Sequence, residues 1–389
     1  MKKVIVILTQ PVENNTSSMI RSMSLINELP RLGYQTVCYC PYPDVDGMYN
    51  NGNANLPNVV IKRYGHRKKI QVSCKDVKEA KGMKKKLIAV IYKCFKTFDV
   101  FGSSLQYLKY KKSIKADIAK EEGDILLTFS HPMTAHMIGK YCKDAVSGAY
   151  IQQWGDPLTT DIITKTALPR WIRKIIEENL IKKADRICYV SPLTCEEQKN
   201  LFKKHAQKMI FLPTPRVEYK KTSRQLSHHK VKIGYFGSYK LIARDIRPLY
   251  KAAVENENCE LYIIGDSDIV LESKSNIFMK NRITREEIEK YVDEVDVLVC
   301  LMNSKGNQIP GKMYHYAGSY KEILVIKDGE YGNEIEKYFR QFDRYTFVEN
   351  DKNKIKEILD AYSSKKVPDR VPLEDFSANT IAKKLLQNC

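Results

Sequence analysis

Short runs of β-branched and aliphatic residues alternate along this chain with stretches whose apolar positions recur every three to four residues. In the first half the runs predict strands at 3–8, 35–40, 59–62, 124–129, 148–152, 186–190 and 208–212, with helical patterns between most of them. Residues 213–230, PTPRVEYKKTSRQLSHHK, hold no hydrophobic periodicity and are rich in Pro and basic residues, which reads as a linker. A second cycle then begins: strand 231–236, helix 246–256, strand 260–264, short strand 276–279, helix 285–294, strand 296–301, helix 311–318 and strand 323–326. Alternation of this kind predicts α/β architecture with parallel sheets. Two full cycles predict two Rossmann-like domains facing a cleft, residues 1–215 and 216–375, with a helix at about 376–389 packing back on the first; ligands belong outside the carboxyl ends of such strands.

Composition narrows the class. With 43% hydrophobic and 10% aromatic residues the 389-residue chain is a folded protein, and 65 Lys plus Arg against 46 Asp plus Glu make it basic, at +19. The longest apolar runs, 87–92 and 297–302, fall far short of the ~18 residues of a spanning helix. The start, MKKVIVILTQ, has an apolar run shorter than the ~7 residues of a signal-peptide core and reads as a buried first strand. Ten scattered Cys without any C-x-x-C point to free thiols and a cytoplasmic location. The charge is concentrated: 62–115 carries 17 basic residues against three acids. Within it, Leu87, Ile88, Ile91, Cys94, Phe95 and Phe98 share one helical stripe with Lys85, Lys86, Lys93 and Lys96 broadly opposite. Two readings stand, a helix packed on the N-terminal domain or one docked peripherally on an anionic membrane surface at the inner face of the membrane. No nucleic-acid-binding module is present, so nucleic acid is not an expected partner.

Candidate chemistry gathers in the second cycle. The strand 231–236 runs into Gly237-Ser238, with Arg244, Arg247 and Pro248 following before a helix. Glycine at a strand end lets backbone approach a phosphate, and arginine offers a planar fork to its oxygens; the plainer alternative is a tight turn with solvated arginines. After the strand 296–301 a polar loop leads to Pro310-Gly311-Lys312 at a predicted helix start, where a lysine adds charge to an anion site or merely faces solvent. In the first half, His131 follows a strand and either faces the cleft or caps the next helix. Asp156, in Trp154-Gly155-Asp156-Pro157, is either a turn former or a cleft carboxylate that takes a hydroxyl proton. His136 fits packing within a helix better than the cleft. Asp44/Asp46 lie in a Pro/Gly/Asn loop and Asp266/Asp268 in a Gly-Asp turn, so no metal site is expected.

The segments IGYFGSYKLIARDIRPLYKA, ELYIIGDSD, FMKNRITREEIEKYVDEVDVLVCLMN and IPGKMYHYAGSYKEILVI together resemble the nucleotide-binding domain of GT-B glycosyltransferases, closest to the retaining, metal-independent family 4. SHPMTAHMIGKY, WGDP and IEENLIKKADRICYVSPLTCEEQ resemble that family's acceptor-side half. The resemblance implies that the backbone of Gly237 and Ser238, with Arg244 and Lys312, binds a diphosphate. It places the base near Arg282 and Ile283, and the ribose against the helix starting at Pro310 and Gly311. His131 and Asp156 become the acceptor-side catalytic candidates. The implied activity is sugar transfer from a nucleotide diphosphate sugar, UDP before GDP, to a hydroxyl of a saccharide or lipid-linked saccharide, as in surface polysaccharide assembly, with no cofactor and no metal. In the same helix region the family usually carries two glutamates; the register set by Pro310 puts Asn307 and His315 there instead. Both can hydrogen-bond sugar hydroxyls, yet the exchange also motivates the alternative of a catalytically inactive GT-B subunit that binds or stabilises a partner.

Overall fold

The computed structural model describes residues 1–14, 16–43, 56–65, 101–130, 132–161, 166–221, 230–365 and 367–387. The chain divides into two compact units, Met1–Leu212 with Ala382–Cys389, and Pro213–Ile381. Unit 1 runs β1 (Lys3–Ile7), α1 (Ser17–Arg31), β2 (Gln35–Pro41), β3 (Val59–Tyr64), α2 (Lys111–Glu121), β4 (Ile125–Phe129), α3 (Thr134–Cys142), β5 (Tyr150–Trp154), α4 (Arg170–Ile181), β6 (Arg186–Tyr189), α5 (Pro192–Leu201) and β7 (Met209–Phe211). Its seven strands are all parallel, in the order β3-β2-β1-β4-β5-β6-β7. Every residue of β4 and β5 is buried, because helices cover both faces of a parallel sheet; that burial takes in Thr128, Gln152 and Gln153 along with the apolar residues. The last turn of the chain belongs to this unit, where Arg186 Nη1 donates to the Leu385 carbonyl at 2.7 Å.

Unit 2 repeats the plan with β8 (Val231–Phe236), α6 (Arg247–Val254), β9 (Cys259–Ile264), β10 (Ile277–Lys280), α7 (Arg285–Glu294), β11 (Val297–Leu301), α8 (Gly311–Tyr316), β12 (Glu322–Lys327), α9 (Gly332–Arg340), β13 (Thr346–Glu349), α10 (Lys352–Ser364) and α11 (Ala378–Leu386), the last continuing into unit 1. The strand order β10-β9-β8-β11-β12-β13, all parallel, reverses direction between β8 and β11. That reversal parts the loops after β8 and β11 and opens a crevice at the carboxyl edge of the sheet. Local chemistry sets the ends: Thr284 and Glu287 form a capping box that starts α7. The predicted helix at 311–318 stops at Tyr316, a six-residue α8, with Pro310 as its N-cap rather than its first residue. So short a helix contributes little dipole to an anion site, and charge there must come from side chains.

The segment read as a linker is different in the structure. Residues 213–215 are buried, Arg216 N–H donates to Phe376 O and Val217 N–H to His315 O, and a Cβ at Gly318 would stand 1.9 Å from the Val217 carbonyl. Residues 213–217 are therefore a laced edge of unit 2, because the polar backbone of a Pro-rich segment still finds partners when it lies against a helix end.

Candidate functional site

Start from the strand ends of unit 2. At the end of β8, Gly237 N–H donates to Ile264 O at 2.9 Å, drawing the loop after β8 against the one after β9. Gly265 is required there: a Cβ would lie 2.1 Å from the Gly237 carbonyl oxygen. Tyr235 Oη donates to the Ser238 carbonyl at 2.8 Å, which Arg244 Nη1 also approaches at 3.4 Å. Across the crevice, Arg244 Nε donates to Asn303 Oδ1 at 3.0 Å, and Ser304 N–H donates to Ala243 O at 2.8 Å. One arginine thus ties together the two loops that flank the sheet reversal. Gly329, at φ +72°, lets the loop after β12 close over them, since a Cβ would meet the Asn303 carbonyl at 2.6 Å.

Lys312 enters this crevice from the first turn of α8. Its Cε lies 3.0 Å from where a Gly237 Cβ would be, and its ammonium sits 5.3 Å from the centroid of the Tyr316 ring, one turn on. Burial lowers its pKa to about 8, opposed by Cys300 and assisted by the positive charges of Arg244 and Arg282. Among the described residues no carboxylate forms an ion pair with Lys312 or Arg244. The site therefore holds two cations without a carboxylate partner in a partly desolvated crevice beside the half-buried Gly237 and Ser238, an arrangement that costs stability unless an anion occupies it.

The other sequence candidates take varied places. Arg282, just beyond β10, is exposed and pairs with Asp266 at 3.4 Å, while Ile283 beside it is half-buried. Arg247 is held by Asp245 through two side-chain bonds. Asn307 is half-buried in the loop after β11, Pro310 caps α8, and Gly311 begins it, where an added Cβ would lie 3.7 Å from the buried His315 ring. The structure so gathers Gly237, Ser238, Arg244 and Lys312, with Arg282 within electrostatic reach. Asp266 faces Arg282, and Asp268 accepts the Leu241 N–H at 3.0 Å, so each carboxylate of that pair has a partner of its own. Asn303, Gly265, Tyr235 and Tyr316 were missed by the sequence reading. Asn303 alone carried a signal, its place two residues beyond β11 at the reversal.

In unit 1, His131, Asp44, Asp46 and the stripe at 85–98 lie outside the described residues. Asp156 follows β5 and is half-buried. Its negative charge acts on Arg21 of α1, whose guanidinium is buried, bonds Ser130 O at 3.1 Å, and packs so closely on Gly155 that a Cβ there would come within 2.8 Å. Burial lowers the Arg21 pKa to about 10 and Asp156 partly restores it. The turn after Asp156 is clamped from α4: Glu177 accepts both the N–H and the hydroxyl of Thr159, at 2.7 and 2.6 Å, and Arg173 Nη1 donates to Leu158 O at 3.1 Å. Full burial pushes the Glu177 carboxyl up to about 7 against those two bonds. His136 is buried, 2.7 Å from the Thr128 hydroxyl through Nδ1, its ring tilted against Trp154 with centroids 4.4 Å apart, a core histidine.

No family model matches the chain, and no curated protein matches it in sequence. Solved structures do match across both units. A sucrose-phosphate synthase from Thermosynechococcus elongatus superposes with a TM-score of 0.59 at 13% identity, covering 99% of this chain and 93% of its own. Anabaena HepE in complex with UDP and glucose gives 0.56 at 9%, covering 99% and 95%. A candidate UDP-N-acetylglucosamine 2-epimerase from Listeria monocytogenes gives 0.57 at 12%, covering 99% and 95%. The fold is that of the GT-B glycosyltransferases, two Rossmann-like α/β units in one chain.

Proposed function

We propose that the chain is a glycosyltransferase that moves a sugar from a nucleotide diphosphate sugar to a hydroxyl of a saccharide or lipid-linked saccharide, with retention and without a metal ion. The observation that carries this reading is the unpaired Lys312 ammonium, poised with Arg244 beside the Gly237-Ser238 backbone at the sheet reversal of unit 2. Departure of a nucleoside diphosphate develops negative charge on its terminal phosphate. Two cations already in place stabilise that charge without reorganisation, each contact contributing on the order of 1.5–3 kcal/mol. The base would lie toward Arg282 and Ile283 and the ribose toward Pro310, with Asn307 and His315 addressing sugar hydroxyls. In a retaining transfer the leaving phosphate itself receives the acceptor proton, so no protein nucleophile is assigned; His131 and Asp156 serve the acceptor, Asp156 acting beside the buried Arg21 guanidinium. UDP is preferred over GDP because HepE, of the same fold, binds UDP.

The direct test is a thermal-shift series with UDP, GDP, UMP and UDP-sugars, followed by turnover of the sugar that stabilises most. Stabilisation by UDP or GDP well above that by UMP is expected, and equal response to all would remove the diphosphate site. Asn307 and His315 at the two positions favour one rival, an inactive GT-B subunit. Nucleotide-sugar binding with no transfer to any acceptor and no donor hydrolysis would select it.

A further inference from the structure

The outward face of α4 carries an exposed apolar ridge unrelated to either site. Trp171 is 65% exposed and Ile175, one turn on, 58%, while Glu177, Leu180 and Ile181 on the opposite face are buried. The chain has two tryptophans, and the other, Trp154, is fully buried. Leaving the largest apolar side chain in water at the start of an otherwise well-packed helix calls for a partner.

Charge identifies that partner. Arg170 and Lys174, both exposed, flank the ridge. Toward the other end of the helix Lys182 and Lys183 are exposed, and Lys140 from α3 reaches over to donate to Asn179 Oδ1 at 2.6 Å. Those ammonium groups crowd one another: the Lys140 pKa is lowered by burial and then by Lys182 and Lys183. Acids are interleaved: Glu197 faces Arg170 at 4.0 Å, Asp144 faces Lys183 at 3.3 Å, and Glu178 lies 3.9 Å from His205, whose pKa is lowered by burial, so the basic side chains outnumber the acids without being free of them. Lysine is depleted at the centre of protein–protein interfaces, whereas a convex helix with Trp and Ile beside lysines suits the headgroup region of a bilayer. We infer that α4 lies on an anionic lipid surface, with Trp171 and Ile175 entering the headgroup boundary and Arg170, Lys174, Lys182, Lys183 and Lys140 meeting lipid phosphates. The inward face of the same helix clamps the turn after Asp156 through Arg173 and Glu177, so docking would set that turn beside the membrane. The inference does not depend on the transferase reading.

Trp171 reports on this directly, because Trp154 is already shielded and supplies a constant background. Mixed with phosphatidylglycerol vesicles, the intact protein should show a blue-shifted emission and protection of one of its two tryptophans from iodide. Phosphatidylcholine vesicles should give neither. Trp171→Phe should still sediment with anionic vesicles but lose the optical change. Trp171→Ser combined with Ile175→Ser should weaken sedimentation about tenfold or more at 0.3 M salt, where attraction by the lysines is screened. Vesicle binding with Trp171 still fully open to iodide would overturn the inference, because other basic segments would then hold the lipid. So would an emission shift that follows protein concentration without lipid, which would mean that a second copy covers the ridge.

Discussion

Replacing Lys312 by Met separates a functional ammonium from a structural one. The folded-state pKa of about 8 lies below the ordinary 10.5, so folding favours the neutral amine. The charge therefore costs stability below pH 8, and the cost disappears as pH rises from 8 to 10.5. At about 1.4 kcal/mol per pKa unit the ceiling is about 3 kcal/mol, less to the extent that water reaches the half-buried side chain. Lys312→Met keeps the length and the contact with Gly237 but removes the charge. At pH 7 the variant should unfold a few degrees higher than the parent without ligand, and the difference should vanish near pH 10.5. The response to UDP should run the other way. In the parent, calorimetric UDP affinity should fall about tenfold between pH 7 and pH 9 as the ammonium titrates, while the variant binds weakly at both. A variant that binds UDP as the parent does, or that is less stable at pH 7, would refute the assignment of Lys312 to a diphosphate site.

Glu177→Gln tests the clamp on the turn after Asp156. The amide oxygen can still accept from Thr159, so the variant should match the parent near pH 4.5 and exceed it by up to about 3 kcal/mol at pH 8 in urea unfolding, since the raised carboxyl pKa removes stability as pH rises from 4.5 to about 7. A pH-independent difference would show that the carboxyl is not the titrating group. Gly265→Ala should destabilise unit 2 by about 3 kcal/mol or more and weaken UDP binding, because its Cβ would collide with the Gly237 carbonyl; a neutral result in thermal unfolding would mean that the two loops move apart freely. EDTA should leave transfer activity intact. Loss of activity on chelation, restored by manganese, would show that the carboxylates of Asp266 or Asp268 leave Arg282 and Leu241 to hold a metal.

Much of the scaffold was written in local pattern. The apolar runs of β1, β8 and β11 and the periodicity of α7 are properties of neighbouring residues, and they placed strands and helices within a residue or two. The resemblance, too, lay in short segments, Gly237-Ser238 and Pro310-Gly311-Lys312 among them. What local pattern could not reach is every contact that depends on strand order. Lys312 meets Gly237, and Arg244 meets Asn303, only because β11 pairs beside β8 rather than beside β10. Burial then decided chemistry that composition leaves open: it lowered the pKa of Lys312, raised that of Glu177, and turned His136 into a core residue. The stretch 213–217 looked like a linker for the same reason, since its Pro-rich composition is visible locally while its partners, Phe376 and His315, lie about 100 residues or more away. β13 escaped because four residues, of which only Val348 is buried, carry almost no periodic signal, and only pairing with β12 makes them a strand. Periodicity acts over a few residues and so determines elements, whereas the crevice and its unpaired cations arise from pairings and desolvation that exist only once the sheet has closed around them.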